Sequence, residues 1–141
     1  MPRPLHPVDS DDHKALWDAL ELAVKHDGPA VFPVRSGYHR DIPSSVDSEV
    51  ALVVETSGST SRPKRVWHTV RSLEAAAERV NEQLEGPGVW WQALPAHYIA
   101  GVMVTVRALY SGSVVLSRQS GETLPGNVLH FVQHTSTEFP T

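Results

Sequence analysis

The hydrophobic pattern along the chain alternates between two periods, which predicts helices interleaved with strands. Two stretches, residues 9–27 and 72–85, carry apolar residues at the three- and four-residue spacing of a helix with one buried face. A third predicted helix, about residues 100–110, is apolar almost throughout and carries Arg107. The first is expected to be capped by Asp9 or Ser10 and to stop at Gly28.

Short apolar runs between the helices predict strands near residues 29–33, 49–55, 65–70, 89–94 and 113–117. The run at 49–55 is almost continuously apolar, so we expect a strand buried on both faces. Residues 1–8 contain three prolines and are predicted to be an extended lead-in, and residues 36–48 are predicted to be a loop. The tryptophans of the strands, Trp67, Trp90 and Trp91, are expected in the core or at a subdomain interface. The predicted fold class is α/β, with mixed β-sheet layers and flanking helices.

Composition narrows the possible functions. A chain of 141 residues has the length of one domain with a real core. Its net charge of -4 and its lack of long basic runs argue against a nucleic-acid surface. No apolar segment is long enough to cross a membrane, and the absence of cysteine is compatible with a cytoplasmic protein.

The most distinctive stretch is the phosphate-loop segment, residues 49–66, where the apolar strand leads into small residues and then positive charge. Its small residues are Thr56, Ser57, Gly58, Ser59, Thr60 and Ser61, and Lys64 follows Pro63. Small side chains let backbone N–H groups approach an anion, hydroxyls add donors, and a lysine supplies a mobile cation. The stretch is not a P-loop, because that motif requires glycine where Pro63 stands. The alternative is a solvated Ser/Gly loop between two strands.

Two segments together resemble a known superfamily. The sequence from Thr56 to Lys64, TSGSTSRPK, resembles the TSGSTGxPK signature of adenylate-forming enzymes, the AMP-binding acyl-CoA synthetases. Residues 94–101, LPAHYIAG, resemble the next core motif of that superfamily. Arg107, six residues after Gly101, and the short region before the first motif most resemble its o-succinylbenzoate–CoA ligase family, which serves menaquinone biosynthesis.

The resemblance implies an acid–thiol ligase that uses ATP, Mg²⁺ and coenzyme A. A carboxylate would attack the α-phosphorus of ATP, and the thiol of coenzyme A would then displace AMP. By this resemblance, the residues that hold the nucleotide phosphates would be Thr56, Ser57, Gly58, Ser59, Thr60 and Lys64. The segment at residues 89–112 would contribute to the acyl pocket.

The same resemblance suggests that His97, Tyr98 and Arg107 bind the small-molecule carboxylate substrate. Either ring of the His97-Tyr98 pair could face the acyl group, and the alternative for His97 is a packed loop histidine. For Arg107 the alternative is a structural salt bridge, because a lone arginine on an apolar helix must be paired when it is buried.

One position departs from the superfamily signature, and one histidine pair has the spacing of metal ligands. Ser61 stands where the superfamily usually has glycine, which would strain the loop if that position needs positive φ. His130 and His134 share the spacing of helical metal ligands, but without an adjacent acid or a third ligand we predict no metal site.

The resemblance covers only the N-terminal portion of the AMP-binding domain, so residues 1–141 are expected to be a fragment that is inactive alone. Exposed strand edges would then favour self-association. The alternatives are a non-catalytic nucleotide- or phosphate-binding module, or part of another acyl- or aryl-CoA ligase.

Overall fold

A computed structural model describes residues 2–56, 63–83 and 89–116. They form seven strands and three helices within these ranges: β1 (Arg3–Asp9), α1 (His13–Lys25), β2 (Ala30–Val34), β3 (Ser45–Val46), β4 (Val50–Thr56), β5 (Lys64–Thr69), α2 (Val70–Gln83), β6 (Val89–Trp91), α3 (Ile99–Ser111) and β7 (Val114–Leu116). The chain divides into two compact units, with the boundary between Leu73 and Glu74. The mixed α/β class is confirmed.

The first unit is built on a five-stranded mixed sheet with the order β3-β1-β2-β4-β5. Strands β1, β2 and β4 are parallel, and β3 and β5 are antiparallel to their neighbours. The prediction that β4 is buried on both faces is confirmed, because residues 50–54 are all at most 5% exposed. Helix α1 contributes Leu16, Leu20 and Ala23 to the core from its apolar stripe.

The expected lead-in at residues 1–8 is instead a strand inside this sheet. Leu5 pairs with Ala30 of β2, and Arg3 pairs with Val46 of β3. The prolines hid this strand, yet Pro7 is tolerated for a structural reason. The N–H of Leu5 faces β3, and by alternation the nitrogen of Pro7 faces the same side, beyond the short pairing with β3. The predicted loop at 36–48 correspondingly contains β3.

The start of α1 also differs from the prediction. Asp12, not Asp9 or Ser10, is the N-cap, and its Oδ1 accepts a hydrogen bond from the N–H of Ala15 at 3.1 Å. Asp9 ends β1, and its Oδ1 accepts from the N–H of Asp11 in the intervening turn. The helix ends at Lys25, and Asp27 rather than a glycine takes the left-handed conformation, with φ of 54°.

Arg3 ties the amino-terminal edge of the parallel strands to α1. Its guanidinium donates to the carbonyl oxygens of Gly28 at 2.7 Å and Val50 at 3.2 Å, and also to that of Ala23 near the end of α1. Arg3 is only 7% exposed, so these carbonyls compensate for the loss of hydration of the charge.

Helix α2 begins two residues before its predicted start. Ser72 donates its backbone N–H to Thr69 Oγ1 at 3.1 Å, and the N–H of Thr69 donates to Ser72 Oγ at 3.0 Å. This reciprocal arrangement satisfies N–H groups of the first turn, as in a capping box.

The second unit pairs β6 with β7 in parallel, and α3 connects them. Trp90 and Trp91 are buried, as predicted. Trp67 of the first unit is 50% exposed on β5, so the prediction of a core position is wrong for it, and an interface position stays a prediction. Residues 100–109 of α3 are all buried, and Gly112 caps the helix with φ of 69°. No helix in the described ranges combines the length and apolarity needed to cross a membrane.

Candidate functional site

The two ends of the phosphate-loop segment meet at the end of a strand pair. Thr56 is the last residue of β4 and Lys64 the first of β5, and the two are register partners. Thr56 Oγ1 donates to the carbonyl oxygen of Lys64 at 3.2 Å, and both residues are exposed. The remaining predicted phosphate ligands, residues 57–60, lie outside the described residues, as does Ser61.

The sheet topology places this strand pair at an edge where α/β proteins bind ligands. Because β1, β2 and β4 are parallel, their carboxyl ends lie at the same edge of the sheet. Ligands of open α/β sheets generally bind beyond the carboxyl ends of the strands. The loop after β2 and the exposed Thr56-Lys64 pair share this edge.

Three side chains that sequence reasoning missed meet at the next residue pair of the same ladder, one residue inward from Thr56 and Lys64. The hydroxyl of Tyr38 donates to Glu55 Oε2 at 2.6 Å, and Arg65 Nη2 donates to Tyr38 Oη at 3.0 Å. Arg65 Nε closes the triangle on the same Glu55 oxygen at 3.4 Å. The signal available in the sequence was the opposite charge of Glu55 and Arg65 on the two strands beside the loop, whereas nothing marked Tyr38.

Two members of this triangle have shifted pKa values, Tyr38 and Arg65. Burial and the hydrogen bond to Glu55 raise the pKa of the Tyr38 phenol, which therefore remains a donor at neutral pH. The hydrogen bond to Tyr38 is the main cause that raises the pKa of Arg65. A phenol donating to a carboxylate is a charge-assisted bond, which is among the stronger protein hydrogen bonds.

The second motif, residues 94–101, is held by close backbone packing. A Cβ placed on Gly101 would lie 2.0 Å from the carbonyl oxygen of Pro95, so only glycine fits at this point of α3. The Gln92 side-chain amide donates to the carbonyl oxygens of both Leu94 and Gly101, the latter at 3.0 Å. These contacts fix the turn between β6 and α3.

His97 and Tyr98 stand together at the entrance of α3. Their ring centroids are 4.3 Å apart with a 40° angle between the planes. Tyr98 occupies the N-cap position, makes no side-chain capping bond and is 47% exposed, whereas His97 is half-buried. The rings are therefore accessible to a ligand of this unit, and their role in substrate binding stays a prediction.

Arg107 lies deep in α3 and is 3% exposed. It follows Tyr98 by nine residues, which corresponds to roughly 14 Å along the helix axis. Asn81 of α2 donates its side-chain amide to the backbone carbonyl of Arg107 at 3.4 Å. Burial raises the cost of the guanidinium charge, and both predicted roles, substrate carboxylate and salt bridge, remain predictions.

The metal prediction concerns residues in two parts of the chain. Among the residues that the structure describes, no three His, Asp or Glu side chains are placed to hold a metal ion. His130 and His134 lie outside that part of the chain. Mg²⁺ commonly binds through substrate phosphates with only one or two carboxylates, so a nucleotide could bring the ion with it.

A comparison with known protein families identifies the chain. The model for "AMP-binding enzyme" matches residues 3–139. The chain belongs to the AMP-binding enzyme family. Within this family it is 35% identical over 117 residues to the "probable 2-succinylbenzoate–CoA ligase" of Mycobacterium tuberculosis strain CDC 1551 / Oshkosh. An equal match is found to the same protein of strain H37Rv.

Each of these matches covers 79% of the chain and 30% of the relative. The chain therefore spans about 30% of the length of the curated relatives it matches.

The chain is also similar to solved structures of Bacillus subtilis o-succinylbenzoate CoA synthetase. For the complex with the acyl-adenylate OSB-AMP, identity is 20% and the TM-score is 0.49, over 94% of this chain and 34% of that chain. For the complex with ATP and magnesium ion, identity is 24% and the TM-score is 0.47, over 70% and 21%.

Proposed function

We propose that this chain carries the nucleotide-phosphate-binding part of an ATP-dependent carboxylate–CoA ligase. The observation that supports this most is the pairing of Thr56 with Lys64 at the carboxyl end of β4, which brings together both ends of the TSGSTSRPK motif. Membership of the AMP-binding family supplies the reaction class.

In the proposed reaction, an oxygen of the substrate carboxylate forms a bond to the α-phosphorus of ATP. The bond from that phosphorus to the bridging oxygen breaks, and pyrophosphate leaves. The thiolate of coenzyme A then attacks the acyl carbon, and AMP leaves. The chemistry depends mainly on alignment and charge neutralisation, because the phosphoryl group already carries its leaving group.

Lys64 is suited to neutralise negative charge on the phosphates. Its ammonium is exposed at the strand end and sits on a flexible stem, so it can follow negative charge that develops on the departing phosphates. Thr56 presents a hydroxyl on the facing strand. We propose that the loop residues 57–60 donate further hydrogen bonds to the phosphates, and that Mg²⁺ enters as the ATP complex.

The test of this proposal is calorimetric titration of Mg-ATP into the chain and into Lys64→Ala. Loss of one charge-assisted contact is expected to weaken binding about tenfold. Arg71→Ala, at an exposed position on α2, is the matched control and is expected to bind like the wild type. Equal affinity of Lys64→Ala and the wild type would remove Lys64 from the phosphate site.

We propose 2-succinylbenzoate as the carboxylate, supported by the 35% identity to the mycobacterial relatives. His97, Tyr98 and Arg107 would bind this substrate. A guanidinium can bind a carboxylate through two parallel hydrogen bonds, so Arg107 is chemically suited to a dicarboxylate substrate. This is a more specific assignment than the family match, and another acyl or aryl acid is the competing substrate.

The substrate assignment can be tested in the natural gene product by steady-state kinetics with Arg107→Ala. The Michaelis constant for 2-succinylbenzoate should rise at least about tenfold, while that for Mg-ATP stays constant. If the alanine variant folds poorly, Arg107→Lys replaces it. Because this variant retains a charge, its Michaelis constant for 2-succinylbenzoate should lie between those of the wild type and Arg107→Ala. Unchanged constants for the acid in both variants would refute the carboxylate role.

A further inference from the structure

The triangle of Tyr38, Glu55 and Arg65 joins three separate segments at the carboxyl edge of the first sheet. Tyr38 belongs to the loop after β2, Glu55 to β4 and Arg65 to β5. Each member contacts both others, at 2.6, 3.0 and 3.4 Å. The side chains of Arg65 and Glu55 are only 24% and 20% exposed, so water weakens these contacts less than those of a surface ion pair.

The triangle is anchored on the core and on the loop. Arg65 Cζ lies 5.4 Å from the centroid of the Phe32 ring, and the Tyr38 ring meets the same ring edge-on at 5.6 Å. Phe32 itself is fully buried. Arg65 Nη2 also donates to the backbone carbonyl of Asp41, so the guanidinium spans from β5 to the loop. These contacts fix the position of Arg65 in several directions at once.

The triangle lies one step below the proposed phosphate contacts. Glu55 pairs with Arg65, and the next pair along the ladder is Thr56 with Lys64. Side chains alternate between the faces of a strand, so the triangle occupies one face while Thr56 and Lys64 project from the other. The triangle combines one cation with one anion and has no net charge for attracting phosphate. Its effect on phosphate binding would be exerted through the backbone.

We propose that Tyr38, Glu55 and Arg65 are positioning residues that hold the ends of β4 and β5 together, so that Lys64 is presented to the phosphates of ATP. This inference rests on the proposed function. Lys64 and Thr56 are exposed and joined by one side-chain hydrogen bond at 3.2 Å, a pair that would fray at a strand end without support. The triangle supplies that support from the opposite face of the ladder.

The test is a double-mutant cycle on Mg-ATP affinity with Tyr38→Phe and Lys64→Ala. Tyr38→Phe removes one hydroxyl and keeps the ring on Phe32. Affinity should fall about three- to tenfold in the wild-type background, the equivalent of one hydrogen bond. In the Lys64→Ala background, measured up to millimolar Mg-ATP, Tyr38→Phe should have no further effect, because its influence passes through Lys64.

Ser36→Ala is the matched control, since it removes a hydroxyl that donates to Asp9 Oδ2 at 3.0 Å from the same loop, outside the triangle, and should leave affinity unchanged. If Tyr38→Phe melts at a clearly lower temperature than the wild type, Arg65→Lys serves in its place. That variant keeps the charge but loses the fork that reaches Tyr38, Glu55 and Asp41, and it should weaken binding in the same range.

The outcomes separate this inference from the proposed function. Weaker binding by Lys64→Ala with unchanged binding by Tyr38→Phe and Arg65→Lys would overturn the positioning role and leave the phosphate site standing. Equal losses from Tyr38→Phe in both backgrounds would also overturn it, because Tyr38 would then act independently of Lys64. Unchanged binding by Lys64→Ala would overturn the proposed function itself.

Discussion

The two motifs that characterise this chain are stabilised in different ways. At the first, side chains link the two strands: Arg65 and Glu55 form an ion pair next to the exposed Thr56-Lys64 pair. At the second, the backbone of α3 packs directly against the Pro95 carbonyl, so closely that no side chain fits at Gly101.

This difference shows which motif residues packing already explains. In residues 94–101, the close approach to the Pro95 carbonyl explains the glycine at position 101, and the hydrogen bonds from Gln92 explain the turn before α3. Neither contact explains His97 and Tyr98, which are therefore the candidates for substrate binding. At the first motif, Thr56 and Lys64 are exposed, and burial does not explain their identity. Ligand binding is the explanation that we propose for them.

The largest effect is expected from Gly101→Ala. Helix propensity alone would make this change stabilising by about 1 kcal/mol. The new Cβ would instead meet the Pro95 carbonyl oxygen at 2.0 Å and its carbon at 2.6 Å, and backbone cannot move aside cheaply. We expect a loss of more than about 3 kcal/mol in the free energy of unfolding, measured by urea denaturation.

Gly112→Ala is the contrasting control for that experiment. Gly112 has a φ of 69° with open space around its Cα, so alanine there suffers backbone strain without a clash. Its cost should be about 1 kcal/mol. A Gly101→Ala variant as stable as the wild type would show that the second motif is not fixed by this close approach.

A smaller loss is expected from Arg3→Met, which tests how far the first unit depends on side-chain donors. The substitution retains an apolar stem but leaves the carbonyls of Gly28 and Val50 without the guanidinium. Loss of these buried bonds should cost about 2 to 3 kcal/mol of unfolding free energy. Lys14→Met, which removes an exposed ion pair with Asp18, should change stability by less than about 0.5 kcal/mol. Similar costs for the two variants would contradict the account of Arg3.

The smallest effect is a dependence of stability on pH. Burial lowers the pKa of His68 on β5 below its ordinary value of 6.5. The unfolded chain then binds more protons than the folded chain below about pH 6.5. The free energy of unfolding is therefore insensitive to His68 well above that pH, and it falls as the pH drops from 6.5 towards the lower pKa of the folded state. Urea midpoints between pH 5 and 8 should fall on the acidic side, and His68→Gln should flatten the decline. An unchanged decline in that variant would assign it to other groups, such as His13, whose pKa burial also lowers.

Hydrophobic periodicity predicted most helices and strands. It failed where the local sequence suggests one structure and contacts with distant segments impose another. Strand β4 and helix α1 follow directly from a continuous apolar run and a three-four repeat. Strand β1 was missed because its prolines suggest an irregular segment, while its pairing depends on β2, more than twenty residues away. The cap was misplaced because several acidic residues in succession could each serve, and the turn after β1 selects Asp12.

The candidate site was predictable to a similar degree. The motif identified Thr56 and Lys64, and their meeting follows from an antiparallel pair that flanks a loop. Tyr38 could not be found in the same way, because only the folded loop after β2 brings its hydroxyl to Glu55. The exposure of Trp67 could not be predicted either. A tryptophan in a strand suggests a core position, yet β5 is an edge strand of the described sheet and the side chain of Trp67 is 50% exposed.

The most direct test of the central claim is an NMR titration of the isotopically labelled chain with Mg-ATP, with each backbone amide followed separately. We expect the largest chemical-shift changes at the ends of β4 and β5, at Thr56 and Lys64, and we expect them to be strongly reduced in Lys64→Ala. Shifts that leave these two amides unchanged at saturation, while others move, would contradict the assignment of the phosphate site.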